Sequence, residues 1–467
     1  MMAEEPQTEE HVDSLASRVV GEGEEGELGF RDMFLNMGPA HPAMHGIVRI
    51  LARLDGETVL GAEVEIGYLH RAFEKSCEVG GYNQAIPYTD RLNYVSPIIN
   101  NVGYAMAVEK LFGITTPERC QYILTLMSEI SRITDHLTCI GASAMELGAF
   151  TVFLYMIEAR EFLYDLVEEV TGARLTVSYG RIGGVKADLP DGFEEGCREA
   201  IERVRKIIGE CHGLLTKNRI FIDRMSDVGV ISSERALAYA FTGPMLRSTG
   251  VNYDVRKAQP YLVYDRMDFI VPLGTNGDNY DRYLVRMEEI EQSCRIIEQC
   301  LEQIPPGPIF ADLTGEPIET ERMLELAKHK ESFKDLYQVK VDIAPTLQGS
   351  ERIFHDVVAT DDRRAFLPPK EEVYENIESL MNHFKLVMFG HGIEPPKGEA
   401  YQAVEGANGE LGFYVVSDGS GQPYRVRCRG PCFNFLAALH EMLIGDMVAD
   451  VVPTFGSVNM IGGELDR

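Results

Sequence analysis

At 467 residues with 45% apolar content, the chain is long enough to bury a sizeable core, as two or three domains or as one large α+β unit. Its formal charge of −29 excludes nucleic-acid binding by phosphate neutralisation and argues against direct docking to anionic lipid, and the absence of tryptophan removes the usual interfacial anchor. The longest apolar run, Leu147 to Ile157, is eleven residues, about half of what a bilayer requires, so no transmembrane span is expected.

Residues 1–28 are acidic from Glu4 to Glu27 and carry little apolar matter, so they are expected to form a mobile tail. No apolar h-region and no Arg-rich amphipathic pattern is visible there, so neither a secretory nor a mitochondrial signal is expected. Residues 29–67 read as an antiparallel sheet. Arg31 to Met37 forms one strand, and Ile47 to Leu54 a second, with Val48, Ile50, Ala52 and Leu54 on one face. Asp55-Gly56 marks a turn into a third strand that alternates through Ala62, Val64 and Ile66.

Between the first two strands lies Gly38-Pro39-Ala40-His41-Pro42-Ala43-Met44-His45-Gly46. Prolines cannot donate to a ladder and glycines permit positive φ, so this is a shaped loop with His45 at its tip. The His-x3-His spacing suits a metal only on a helix face. Pro42 argues against a helix, and no Cys or carboxylate stands beside the pair. On the residues alone, His41 and His45 remain either structural hydrogen-bonding groups or a positioned reactive pair.

Residues 68–309 read as a bundle of long helices. Thr116-Pro117 is an N-cap with proline at the first helical position, and Ile123, Leu126, Ile130, Ile133, Leu137 and Ile140 make one packing stripe. Glu129, Arg132 and His136 form a second stripe of charges, expected to be solvated or paired with neighbouring elements. A helix over Thr151–Val170 is stopped by Gly172, and another runs from Asp191 to Leu215. The Gly-rich turn Arg181-Ile182-Gly183-Gly184-Val185 lacks the P-loop pattern. A helix over 279–303 is closed by Pro305-Pro306-Gly307-Pro308. Residues 310–370 read as a polar insertion. The segment 371–467 supplies a helix near Glu371 to Phe389, a hairpin of Leu411–Val416 and Tyr424–Cys428 turned at Asp418-Gly419, and a return towards the site. The nine cysteines are scattered, which suits reduced thiols in a cytoplasm, and Cys428 and Cys432 read as structural. The fold class is therefore α+β: a long-helix bundle with small antiparallel sheets near the N- and C-termini.

The His loop, Ile66-Gly67-Tyr68-Leu69-His70-Arg71 with Glu74-Lys75, Arg181–Val185, Gly250–Lys257, Pro395–Glu399 and Gly409–Gly412 together resemble the D subunit of respiratory complex I, NADH–quinone oxidoreductase. The motifs run in family order from about residue 31 to the C-terminus. That family is related to the large subunit of nickel–iron hydrogenases. The two hydrogenase metal motifs align with Arg91-Leu92-Asn93-Tyr94-Val95-Ser96 and with Asn459-Met460-Ile461-Gly462-Gly463-Glu464. Asn93, Ser96, Ile461 and Glu464 stand where the thiolates would be, and none can bridge nickel and iron, so no metal is expected here.

The resemblance implies a quinone in place of the metal. It makes His45 and Tyr94 the hydrogen-bond donors to the quinone carbonyl, with His41, Gly46 and Arg91 completing the quinone-binding set. An acidic residue, usually aspartate in the family, stands against the histidine; here it is Glu146, one methylene longer. Catalytic roles are thus expected of His45, Tyr94 and Glu146. NADH would be oxidised on other subunits, since nothing in this chain reads as a nicotinamide or cluster site. Electrons would come from a 4Fe–4S cluster on the B subunit. The C and I subunits and the membrane-embedded H and A subunits are the other implied partners, on the cytoplasmic side of the cell membrane. A ferredoxin-fed or reduced-deazaflavin-fed relative, or a non-catalytic hydrogenase-like scaffold, are the alternatives.

Overall fold

The computed structural model describes residues 33–313, 315–318, 368, 370–388 and 392–467. The acidic stretch 1–28 and most of the expected insertion 310–370 lie outside the described residues.

Three antiparallel strands come first: β1 (Met33–Met37), β2 (Arg49–Asp55) and β3 (Thr58–Glu65). Along β2 the expected alternation is clean. Val48, Ile50, Ala52 and Leu54 are buried, while Arg49 reaches across the other face to Glu65 at 3.0 Å. In β3 the alternation is weaker, with Ala62, Val64 and Ile66 only partly buried. A register shift between Arg53 and Leu54 bends the ladder there. The Gly38–Gly46 loop joins β1 to β2 and holds one turn of 3-10 helix, Pro42–Met44, where no helix was expected. Proline fits its first position because that N–H would be unpaired anyway. His41 caps the turn, its Nδ1 accepting from the Ala43 amide at 3.2 Å.

Two short helices, α1 (Phe73–Val79) and α2 (Tyr82–Thr89), lead to α3 (Pro97–Phe112) and then to the bundle of α4 (Glu118–Glu146), α5 (Phe150–Thr171), α6 (Phe193–Leu214) and α7 (Asn279–Gln303). The stripe Ile123 to Ile140 of α4 is buried, and α4 is packed against both α5 and α7. Its start differs from the expectation: Pro117 rather than Thr116 is the N-cap, and no side chain caps it. The charged stripe is paired and not solvated. Glu129, Arg132 and His136 are all fully buried. Glu129 accepts from Arg132, from Arg256, from the Tyr264 hydroxyl at 2.6 Å and from Ser293 at 2.7 Å. His136 meets Glu289 at 2.9 Å, and Arg247 bridges Glu289 to Glu405.

The Gly-rich turn forms a hairpin of β4 (Gly180–Arg181) and β5 (Gly184–Val185), extended by β6 (Phe310–Ala311) and β7 (Pro317–Ile318). The helix expected over 371–389 is two helices, Lys370–Glu375 and Ile377–Val387. Asn376 breaks it by capping the second piece, its side chain accepting from the Glu378 amide at 2.9 Å. The expected hairpin is β9 (Glu410–Ser417) and β10 (Arg425–Arg429), but a third strand, β8 (Gly398–Glu405), completes the sheet. The Pro395-Pro396 pair before it hid that strand from a pattern reading. The chain closes with α8 (Pro431–Leu443), α9 (Val451–Ser457) and α10 (Gly462–Asp466).

Two cores result. The larger joins the helical bundle to the C-terminal sheet. The smaller joins the N-terminal sheet, through Met44, Val48 and Ile50, to Phe435, Leu439 and Phe455 of α8 and α9. The last residues of the chain therefore pack against the first described ones, and the His loop is anchored in the smaller core through Met44.

Candidate functional site

His45 ends the 3-10 turn in a left-handed conformation, φ 55°. For a residue with a Cβ this costs about 1 kcal/mol or more, and such conformations persist where the surroundings impose them. The imposing neighbours are visible. The imidazole packs edge-on against Phe455 of α9, with ring centroids 5.6 Å apart. Its Nε2 lies 3.8 Å from Oε1 of Glu146, the last residue of α4. That separation is an ion-pair distance and longer than a hydrogen bond. The Glu146 side chain is 8% exposed, so it does not end its helix in solvent, while His45 is 41% exposed. Burial pushes the Glu146 carboxyl up and the facing imidazole draws it part of the way down. Its Oε2 is buried with no partner among the described residues. Glu146 also explains Gly456: any side chain there would overlap the Glu146 carboxylate.

Tyr94 stands on the turn between α2 and α3 and is 42% exposed. Burial of its phenol edge raises its pKa, and Asp135 and Cys432 add to the rise. A phenol held in this way is a proton donor at neutral pH. Arg91, three residues earlier, turns away from it. Its Nη1 donates to the Pro87 carbonyl at 2.6 Å, and its own carbonyl accepts from Arg71 Nη2 at 2.7 Å.

Gly462 and Gly463 bring the two loops together. A Cβ on Gly462 would overlap Ile47, two residues beyond His45, and a Cβ on Gly463 would overlap the carbonyls of Arg91 and Leu92. Two consecutive glycines thus form a thin strap between the His45 loop and the Tyr94 turn. The motif at 66–71 is tied to the same end of the chain. Gly67 and Leu69 amides donate to the Asp466 carboxylate at 3.0 and 2.7 Å.

Below the strap lies a polar cluster that sequence reasoning missed. Asp135 of α4 is fully buried and accepts from Asn93 Nδ2 at 2.6 Å, Ser96 Oγ at 2.8 Å and Asn459 Nδ2 at 2.8 Å. Asn459 also donates to the Asn408 side chain, and Glu464 accepts the Cys432 amide at 3.0 Å. Burial pushes the Glu464 carboxyl up to about 7. Asn93 and Ser96 of the first aligned motif and Asn459 of the second therefore converge on one carboxylate. The sequence signal was there: Asp135 falls one residue before His136 on a helix whose other buried charges were noted. Among the described residues no group of three or more His, Cys, Asp or Glu could hold a metal ion. All nine cysteines are buried and unpaired, and burial pushes their thiols up, Cys77 to about 12 and Cys139 to about 11.

The structure thus joins His45 to Glu146 and sets the Tyr94 turn across the strap from the His loop. His41 serves as a cap, Gly46 continues the loop, and Arg91 is bonded elsewhere.

Over residues 146–345 and 343–467 the chain matches the family described as the respiratory-chain NADH dehydrogenase 49 Kd subunit. It is 51% identical over 442 residues to the NADH-quinone oxidoreductase D 1 subunit of Sorangium cellulosum, covering 94% of this chain and 97% of that one. It is 48% identical to the corresponding D subunit of Myxococcus xanthus, covering 94% of each chain. It is also 46% identical to the NADH-quinone oxidoreductase C/D subunit of Bdellovibrio bacteriovorus, covering 93% of this chain and 68% of that longer one.

Proposed function

From the premise that the chain belongs to the D-subunit family of NADH–quinone oxidoreductase, we propose that it is the quinone-reducing subunit of a proton-translocating complex I. The observation that carries this is the pair of exposed proton donors, His45 and Tyr94, on loops that flank one glycine strap beside a buried carboxylate.

Reducing a quinone by two electrons places negative charge on its oxygens and demands two protons. Donors aimed at those oxygens stabilise the charge as it develops and deliver the protons. His45 supplies one donor, with Glu146 fixing its ring. Tyr94 supplies the other, kept protonated by its surroundings. His41 caps the turn that ends at His45, Gly46 continues that loop, and Arg91, held by the Pro87 carbonyl, stiffens the turn that carries Tyr94. An iron–sulfur cluster on a partner subunit would supply the electrons.

Among the described residues no helix is long and apolar enough to cross a membrane. We read the chain as peripheral, on the cytoplasmic side, held there by the B, C, I, H and A subunits. The longer C/D relative supports the C subunit as a neighbour. The relation to hydrogenase large subunits is supported by the convergence of the two aligned motifs on Asp135.

Tyr94→Phe tests the reading. It removes one hydroxyl and little volume, so the complex should assemble while quinone reduction falls by about 3 kcal/mol of transition-state stabilisation, roughly 100-fold. Wild-type rates in that variant would overturn the proposal.

A further inference from the structure

Asp135 has an environment that neither a core residue nor a surface charge requires. It is fully buried, it forms no ion pair with Lys or Arg among the described residues, and each of its three bonds comes from a neutral donor. Two of those donors are side-chain amide nitrogens, which can only donate. Acceptance by both oxygens from such groups is the solvation shell of an ionised carboxylate. A buried charge compensated by hydrogen bonds alone is costly to keep, so its placement asks for a reason.

Its bonds give one. Asn93 and Ser96 flank Tyr94, and the Asn93 side chain also receives the Val95 amide at 3.2 Å. Asn459 begins the segment that leads into the glycine strap. Asp135 lies on α4, which ends in Glu146 beneath His45. One carboxylate therefore ties the Tyr94 turn and the strap to the helix that positions the other donor. The ionisable groups facing the Tyr94 phenol are Asp135 from α4 and Cys432 from α8, with the Glu464 carboxyl of α10 held on the Cys432 amide. On its own turn, Arg91 is engaged by Pro87.

We propose that Asp135 is the positioning residue for Tyr94: its carboxylate pins the turn that carries the phenol and fixes it to the helix that ends beneath His45. This rests on the reading of Tyr94 as a quinone donor.

The test uses the assembled complex with 3-fluorotyrosine at position 94, whose phenol ionises at lower pH than that of tyrosine and brings the alkaline limb of quinone reduction into a workable range. Asp135→Asn removes the charge and keeps the shape. The limb should move to lower pH, because a negative neighbour that disfavoured the phenolate has gone. In a Tyr94→Phe background, Asp135→Asn should cost little more activity than Tyr94→Phe alone. Asp135→Ser is read in the same way if Asp135→Asn does not assemble. A limb that stays in place while activity depends on Tyr94 overturns the role of Asp135 and leaves the proposed function standing. Failure of both Asp135 variants to assemble, with Ser96→Ala assembling, makes Asp135 structural and equally overturns it. Wild-type rates in Tyr94→Phe alone would instead remove the reading beneath both.

Discussion

Glu146 and Gly456 show how one methylene is accommodated. The glutamate side chain reaches the surface of α9, where only glycine leaves room for its carboxylate, and it still comes within 3.8 Å of His45. Two outcomes follow at this scale. Glu146→Gln removes the charge at nearly constant shape and should lose most turnover at neutral pH, whereas Glu146→Asp should retain most of it. Turnover assays in which Gln matches wild type while Asp does not would make reach, and not charge, the property that matters. Gly456→Ala should displace the Glu146 carboxylate and lower quinone reduction, and the shorter acid in the double variant Gly456→Ala/Glu146→Asp should restore a large part of it. A double variant no better than Gly456→Ala alone would separate the glycine from the pair. The sequence drew attention to His45 through a loop dense with glycine and proline, whereas Tyr94, in a motif with neither, was reached only through the family resemblance. Gly456 and Asp135 were not legible, because what makes each of them necessary is a residue far away in sequence that only folding brings close.

At the scale of elements, α4 connects stability to chemistry. One of its faces is the apolar stripe that the periodicity predicts. Another buries Glu129, whose carboxyl is held down at about 2 by Arg132 and Arg256. Removing one member of such a network leaves the others uncompensated. Arg256→Met should therefore destabilise the fold by about 3–5 kcal/mol, read from denaturant midpoints, and a change under about 1 kcal/mol would show that the network is dispensable. Sequence spacing placed these charges on a common stripe but could not tell pairing from solvation, because Arg247, Arg256 and Glu289 arrive from distant segments. On α3, Glu109 is buried with the Gly183 amide as its partner at 2.8 Å, and burial pushes its carboxyl up to about 7. Its proton is bound more tightly in the folded state than in the unfolded one. The contribution of Glu109 to stability is thus greatest below about 4.5 and falls as pH rises towards 7. Glu109→Gln should flatten that slope and stabilise the protein above pH 7 by on the order of 2–3 kcal/mol. Melting temperatures with the same pH slope in both forms would contradict this. The long helices were legible because their stripes are long. Strand β8 and the break at Asn376 were not, since Pro395-Pro396 and a single capping side chain act below the reach of a periodic pattern.

For the whole molecule, the decisive fact is that the chain returns to its beginning. The N-terminal sheet has no core of its own until α8 and α9 cover it, and the glycine strap at 462–463 closes the gap between the His loop and the Tyr94 turn. Composition and charge set the class of protein, and the motifs pointed to the family. Neither could show that residues 45, 94, 146 and 459 share one neighbourhood, because contacts of that sequence separation leave no local pattern. Both donors are proposed to meet one quinone head group. A structure of the assembled complex with quinone bound tests it most directly. The head-group oxygens should lie within hydrogen-bond reach of His45 Nε2 and Tyr94 Oη, with Glu146 behind the imidazole. A head group bound in its reduction-competent position out of reach of both side chains would contradict the account.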